Sequence, residues 1–170
     1  MATTKIQAAP QTAKRSFSAG SVISAIGRWI VRNRIYLIAF AIPAVLTYLA
    51  YALFGLYPFG EESVLCLDLN GQYVYYFEAL RDAFWGDGSI FYNWSRNLSG
   101  EFMGIISYYL ASPFTLIVML LPEKFMLSSL LIMQLCKLGA AGATFNYFLQ
   151  KRRGVQPYPS LLFSTMYAMM

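Results

Sequence analysis

Polar and basic residues recur throughout positions 1–34, and then the pattern changes. IYLIAFAIPAVLTYLAYALFGL, residues 35–56, contains no charge. At a helical rise of 1.5 Å per residue, such a run crosses a hydrocarbon core of about 30 Å. It predicts a first transmembrane helix, kinked at Pro43 where a backbone donor is missing. Residues 125–149 form a second long, mostly apolar stretch whose one charge is Lys137, and predict a second transmembrane helix. SLLFSTMYAMM, residues 160–170, begins another apolar segment too short to cross. It reads as the start of a truncated third transmembrane helix, and the chain as the N-terminal fragment of a longer protein.

The stretches around these runs have their own periods. Residues 1–20 are rich in Ala, Thr, Ser and Gln and are expected to form a disordered cytoplasmic N-terminus. In SVISAIGRWIVRNR, residues 21–34, Val22, Ile23, Ile26, Trp29 and Ile30 recur at helical spacing beside Arg28 and Arg32. That pattern predicts a basic interfacial helix on an anionic leaflet. Residues 57–121 are expected to form an extracytoplasmic loop with juxtamembrane or re-entrant helices. Within it, NGQYVYYFEALRDAFW reads as a helix with Tyr73, Phe77, Leu80 and Phe84 on one face. Tyr75, Glu78 and Asp82 share another face, Asn70 is a candidate N-cap, and WGDGS ends the helix in a tight turn.

Charge decides between two topologies. Lys5, Lys14, Arg15, Arg28, Arg32 and Arg34 precede the first run, whereas seven of the eight acids lie from Glu61 to Glu101. Basic flanks stay inside, which predicts a cytoplasmic N-terminus and a multi-pass protein of the cell membrane. MGIISYYLASPFTLIVMLL, residues 103–121, is uncharged and long enough to cross. Crossing there would carry Lys151, Arg152 and Arg153 to the outside. A break at Ser112-Pro113, favoured because proline disfavours helix in the residue before it, keeps 103–121 on the outer side and the basic triplet inside. The composition, 58% hydrophobic and 12% charged, agrees with a bilayer partner. Ordinary soluble domains carry about 25% charged residues. The basic N-terminus is therefore read as a topology signal, with no nucleic-acid partner.

The residue inventory limits the chemistry. With no histidine, imidazole catalysis is excluded, and Cys66 and Cys136 are too few for a zinc centre. Cys136 reads as a small buried residue of an apolar helix. Asp68 is the sharpest candidate, an acid just past the first span between Leu67 and Leu69. It reads either as a partly desolvated base or as a solvated helix cap. Arg96, Asn97 and Glu101 read either as a phosphate-binding group or as a loop salt bridge. Glu78, Arg81 and Asp82 read as a solvated helix face without chemistry. Lys137, a charge within a span, calls for a carboxylate on another helix or a lipid phosphate. Gly139 and Gly142, with Ala140, Ala141 and Ala143, form a small-residue face for close packing.

DLNGQYVYYFEALRDAFWGDGSIFYNWSRNLSGEFMGIISYYLASPFTLIVMLLP, continuing in LLIMQLCKLGAAGATFNYFLQKRRG, resembles the N-terminal part of the bacterial YfhO family. The resemblance covers roughly residues 55–170 and is densest in DLNGQY and SRNLSGEFMG. It implies an all-α, polytopic transmembrane protein, the N-terminal part of a GT-C-like bundle with juxtamembrane helices in the first outer loop. It further implies a glycosyltransferase that moves a sugar from a polyprenyl-phosphate donor to a cell-envelope polymer such as lipoteichoic acid. In that architecture an acid just after the first span is the catalytic carboxylate, which matches Asp68. Asn70, Gln72 and Tyr73 then meet sugar hydroxyls, the leaving lipid phosphate takes a cation from Arg96 or from a residue beyond the fragment, and Asn97 and Glu101 are further substrate-binding candidates. No cofactor is evident. One carboxylate without a DxD pattern leaves a divalent-metal requirement open. A lipid-linked transporter or flippase, and a non-catalytic assembly protein, are the rival readings.

Overall fold

The computed structural model of the protein describes residues 19–65, 67–94 and 100–170. The chain divides into two compact units, Met1–Arg34 and Ile35–Met170. In the first, the described residues are helical, and Val22, Ile23, Ile26, Trp29 and Ile30 are all exposed. Helix α1 runs unbroken over Ala19–Leu53. The expected basic helix at 21–34 and first span at 35–56 are thus one helix, ending three residues early. Nothing in VRNRIYL breaks it, because Arg and Asn continue a helix at little cost.

In the second unit α1 pairs with α5, Met126–Arg153. The two run antiparallel. Tyr36 meets Tyr147 at 5.7 Å between ring centres, and Tyr51 donates to Gln134 Oε1 at 2.8 Å. Between these contacts the expected small-residue face does its packing. A Cβ added at Gly139 would sit 2.8 Å from the Phe40 ring, and one at Gly142 would collide with the Ala39 carbonyl and Pro43. Pro43 itself is fully buried inside α1.

Helix α5 ends at Gly154, which takes φ 66°, a left-handed value that glycine adopts without a Cβ penalty. Helix α6, Pro157–Met169, starts on a proline and folds back along α5. The expected apolar segment at 160–170 lies within it. Asn146, fully buried on α5, donates to Ser160 Oγ at 3.1 Å and Ser164 Oγ at 3.3 Å on α6. Gln150 donates to Asn146 Oδ1 and to Ser160 Oγ. Among the described residues no buried side-chain nitrogen or oxygen lacks a partner.

The described residues between 57 and 125 form a largely helical cap joining α1 to α5. A π-helical turn, Leu69–Tyr73, runs into α2, Val74–Trp85. A short antiparallel pair follows, β1 (Tyr92–Asn93) and β2 (Gly100–Glu101). Then come α3 (Met103–Ile105), a second π-helical turn (Ile106–Leu110) and α4 (Thr115–Leu120). The chain leaves helix at Ala111, ψ 60°, so 103–121 breaks where Ser112-Pro113 predicts. Its two helical pieces, 103–110 and 115–120, are eight and six residues long, each too short to cross. Among the described residues two helices are long and apolar enough to cross a membrane, 20–53 and 123–153. Their apolar windows are only 17% and 33% buried, unlike the core helix of a soluble protein.

The cap has its own core of Phe77, Leu80, Phe102, Ile105, Leu110 and Val118, closed by Leu130 and Met133 of α5. It is therefore seated on the first two turns of α5. From Leu130 to Lys151 the helix rises about 32 Å, roughly one hydrocarbon thickness. Tyr57 binds Ser128 at 2.6 Å between hydroxyls, and Phe59 meets Tyr48 edge-on at 4.9 Å. These contacts tie the cap to both long helices at the same end.

Candidate functional site

The site begins one residue before Asp68. Leu67 is 89% exposed and holds φ 49°, a conformation that non-glycine residues seldom adopt. Such strain concentrates at functional positions. Asp68 is exposed and stands at the N-cap of the π-helical turn, without a side-chain capping bond. Asn70, expected as the cap, instead lies inside that turn, because the helix starts two residues earlier. Asn70 and Gln72 are exposed on it, and Tyr73 closes it half-buried.

Tyr73 shows what the turn is for. Its ring meets Tyr109 at 5.2 Å and 90°. Tyr109 in turn contacts Tyr76 at 5.5 Å and Tyr108 at 4.6 Å. Tyr73 and Tyr109 sit in the two π-helical turns of the cap, so these turns meet ring to ring. A π-helical turn widens the helix and re-aims its side chains, and it is frequent at functional sites. Desolvation raises the Tyr109 pKa above its ordinary value, and the neighbouring Tyr108, Tyr76, Tyr73 and Asp68 push the same way. The Asp68 charge thus reaches Tyr109, as the last of these causes. Tyr108 and Tyr109 are the residues that sequence reasoning missed. They lie about 40 positions from Asp68 in a segment whose only signal was hydrophobicity.

The opposite side of α2 carries a second feature. Glu78 and Asp82 line a cleft of about 340 Å³ with Asp87, Tyr75, Tyr92 and Trp94. Burial raises the Glu78 pKa, and Glu123 and Asp82 raise it further. Arg81, between them in sequence, turns away. Its Nη1 donates to the carbonyls of Val118 at 2.8 Å, Met119 at 3.3 Å and Leu121. Trp85 Nε1 adds a bond to Met119 O at 2.9 Å. A guanidinium at the C-terminal carbonyls of α4 is favoured by the helix dipole. The face expected to be a solvated Glu78–Arg81–Asp82 array is therefore split: the cation pins α2 to α4, and the acids stay in the cleft.

The remaining predicted residues are dispersed. Glu101 stands opposite Tyr92 in the strand pair, and its carboxylate accepts the Gly104 N–H at the start of α3. Arg96, Asn97 and Cys66 lie outside the described residues. Lys137 is exposed on α5, about 6 Å along the axis beyond Met133 of the cap core. Asp68, Asn70, Gln72 and Tyr73 come together on one turn; Lys137 belongs to the long helix below. Among the described residues no three metal-ligating side chains cluster.

Two apolar helices, each long enough to cross a bilayer, pack antiparallel and are capped at one end, as a helical membrane protein requires. The family described as bacterial membrane protein YfhO matches residues 39–170, more than three quarters of the chain, and the chain belongs to that family. No curated protein and no solved structure matches it.

Proposed function

We propose that this protein is part of a membrane glycosyltransferase acting at the outer face. It moves a sugar from polyprenyl phosphate to a hydroxyl of a cell-envelope polymer such as lipoteichoic acid. The observation that carries this reading is the setting of Asp68. It is an exposed carboxylate heading a strained turn, its charge reaching Tyr109, in a cap seated at one end of two bilayer-length helices.

In the reaction the acceptor hydroxyl attacks the anomeric carbon of the donor sugar. Asp68 takes the hydroxyl proton, the bond from that carbon to the phosphate oxygen breaks, and polyprenyl phosphate leaves. A base placed in this way contributes about 10²–10⁴-fold. Asn70 and Gln72 offer amide donors and acceptors to sugar hydroxyls, and Tyr73 offers its ring. Arg96 is assigned the leaving phosphate and Asn97 a supporting contact to substrate, while Glu101 braces the start of α3. Lys137 offers a second cation to lipid phosphate from the helix below.

The test is transfer of radiolabelled sugar from polyprenyl phosphate to acceptor polymer by the protein in its full-length form. Asp68→Asn is expected to lower kcat by about 100-fold or more while donor binding persists. Transfer at the parent rate by Asp68→Asn would remove the base and, with it, this reading of the site.

A further inference from the structure

The cleft on the far side of α2 is not used by Asp68, which does not line it. Its volume, about 340 Å³, falls within the roughly 300–1,000 Å³ range of small-ligand sites. Its walls alternate flat rings with carboxylates. Trp94 and Tyr75 are 81% and 61% exposed, so their faces are not consumed by the cap core. Ring faces of this kind are negative at the centre and bind C–H and cationic groups. Ionised Glu78, Asp82 and Asp87 are acceptors only and match a ligand rich in hydroxyl donors. Among the described residues, the cation nearest them in sequence, Arg81, is committed to the carbonyls at the end of α4. The described lining of the cleft therefore presents rings within a negative field, which repels phosphate and carboxylate groups.

We propose that this cleft is a saccharide-binding site that takes non-anionic pyranoses, favours those with a protonated amine, and rejects phosphorylated ones. Sugar stacks on Trp94 and Tyr75, and its hydroxyls donate to Glu78, Asp82 and Asp87. The site is independent of the transferase reading: binding here requires no reaction at Asp68. Tyr76, which lines the cleft and contacts Tyr109, is the physical link between the two regions.

Saturation-transfer NMR on the protein in lipid nanodiscs, free of sugar-headed detergent, tests this with three probes: glucose, glucosamine and glucose 6-phosphate. Glucosamine is expected to bind more tightly than glucose, and glucose 6-phosphate at least about tenfold more weakly, since like-charge juxtaposition is costly. Trp94→Ala is expected to weaken glucose binding by about fivefold. The paired Glu78→Gln, Asp82→Asn variant should shrink the discrimination against glucose 6-phosphate. Asp68→Asn should leave all three affinities unchanged, which separates failure here from failure of the base. No glucose binding, an inverted order of the three probes, or indifference to Trp94→Ala would each overturn the proposal. The probe series on the unmodified protein needs no variant to fold.

Discussion

Asp68 and Glu78 lie ten positions apart, and their surroundings give them different roles. Asp68 is exposed at the head of a turn, which suits the proton exchange proposed for it. Glu78 is half-buried beside Asp82 and Glu123, and its pKa is raised by burial first and by those charges second. A carboxyl whose pKa is raised by folding binds more protons in the folded state. Stability therefore falls as pH rises from the ordinary glutamate value of 4.5 through the raised one. Thermal unfolding across that window is expected to show the decline, and Glu78→Gln to flatten it. An equally steep decline in the variant would mean that other groups carry it. At this scale Asp68 was legible in the sequence, since an acid flanked by leucines just past a span stands out. The role of Arg81 was not. Side-chain spacing placed it with Glu78 and Asp82, but its long stem reaches the free carbonyls of α4, a partner that periodicity does not reveal.

Elements were legible where hydrophobic period and length agreed. Both long helices, the helix ending at Trp85 and the break near Pro113 follow from local chemistry. The π-helical turns do not, because one residue of extra width leaves no mark on an apolar pattern. The polar clasp between α5 and α6 was also hidden: Asn146, Ser160 and Ser164 look unremarkable until the turn at Gly154 superposes them. Within a membrane such bonds hold helices together because lipid offers no replacement partners. Asn146→Leu removes the two bonds that Asn146 donates to Ser160 and Ser164 and the one it accepts from Gln150, while the serine hydroxyls keep the Pro157 and Leu161 carbonyls. It is expected to destabilise the α5–α6 pair by roughly 0.6–2 kcal/mol. Denaturant titration in micelles followed by circular dichroism measures this, and an unchanged midpoint would show the clasp to be energetically idle.

For the whole molecule, the arrangement of the cap explains both the sequence and the proposed chemistry. Acids cluster between Glu61 and Glu101, all in the segment from 57 to 125 that joins the antiparallel helices at one end. The basic triplet Lys151–Arg153 closes the other end of α5. By the positive-inside rule the cap is expected outside, where the proposed lipid-linked donor would present its sugar. Charge asymmetry carried that inference before any coordinates, whereas the docking of the cap on Leu130 and Met133 depended on contacts between residues about 50 positions apart. The most direct test is cysteine accessibility in intact cells. With Cys66 and Cys136 replaced by serine, single cysteines at Asp87 and Arg153 are probed with a membrane-impermeant maleimide. The account predicts labelling at position 87 from outside, and at 153 only after permeabilisation. Labelling of 153 in intact cells, or protection of 87, would contradict it.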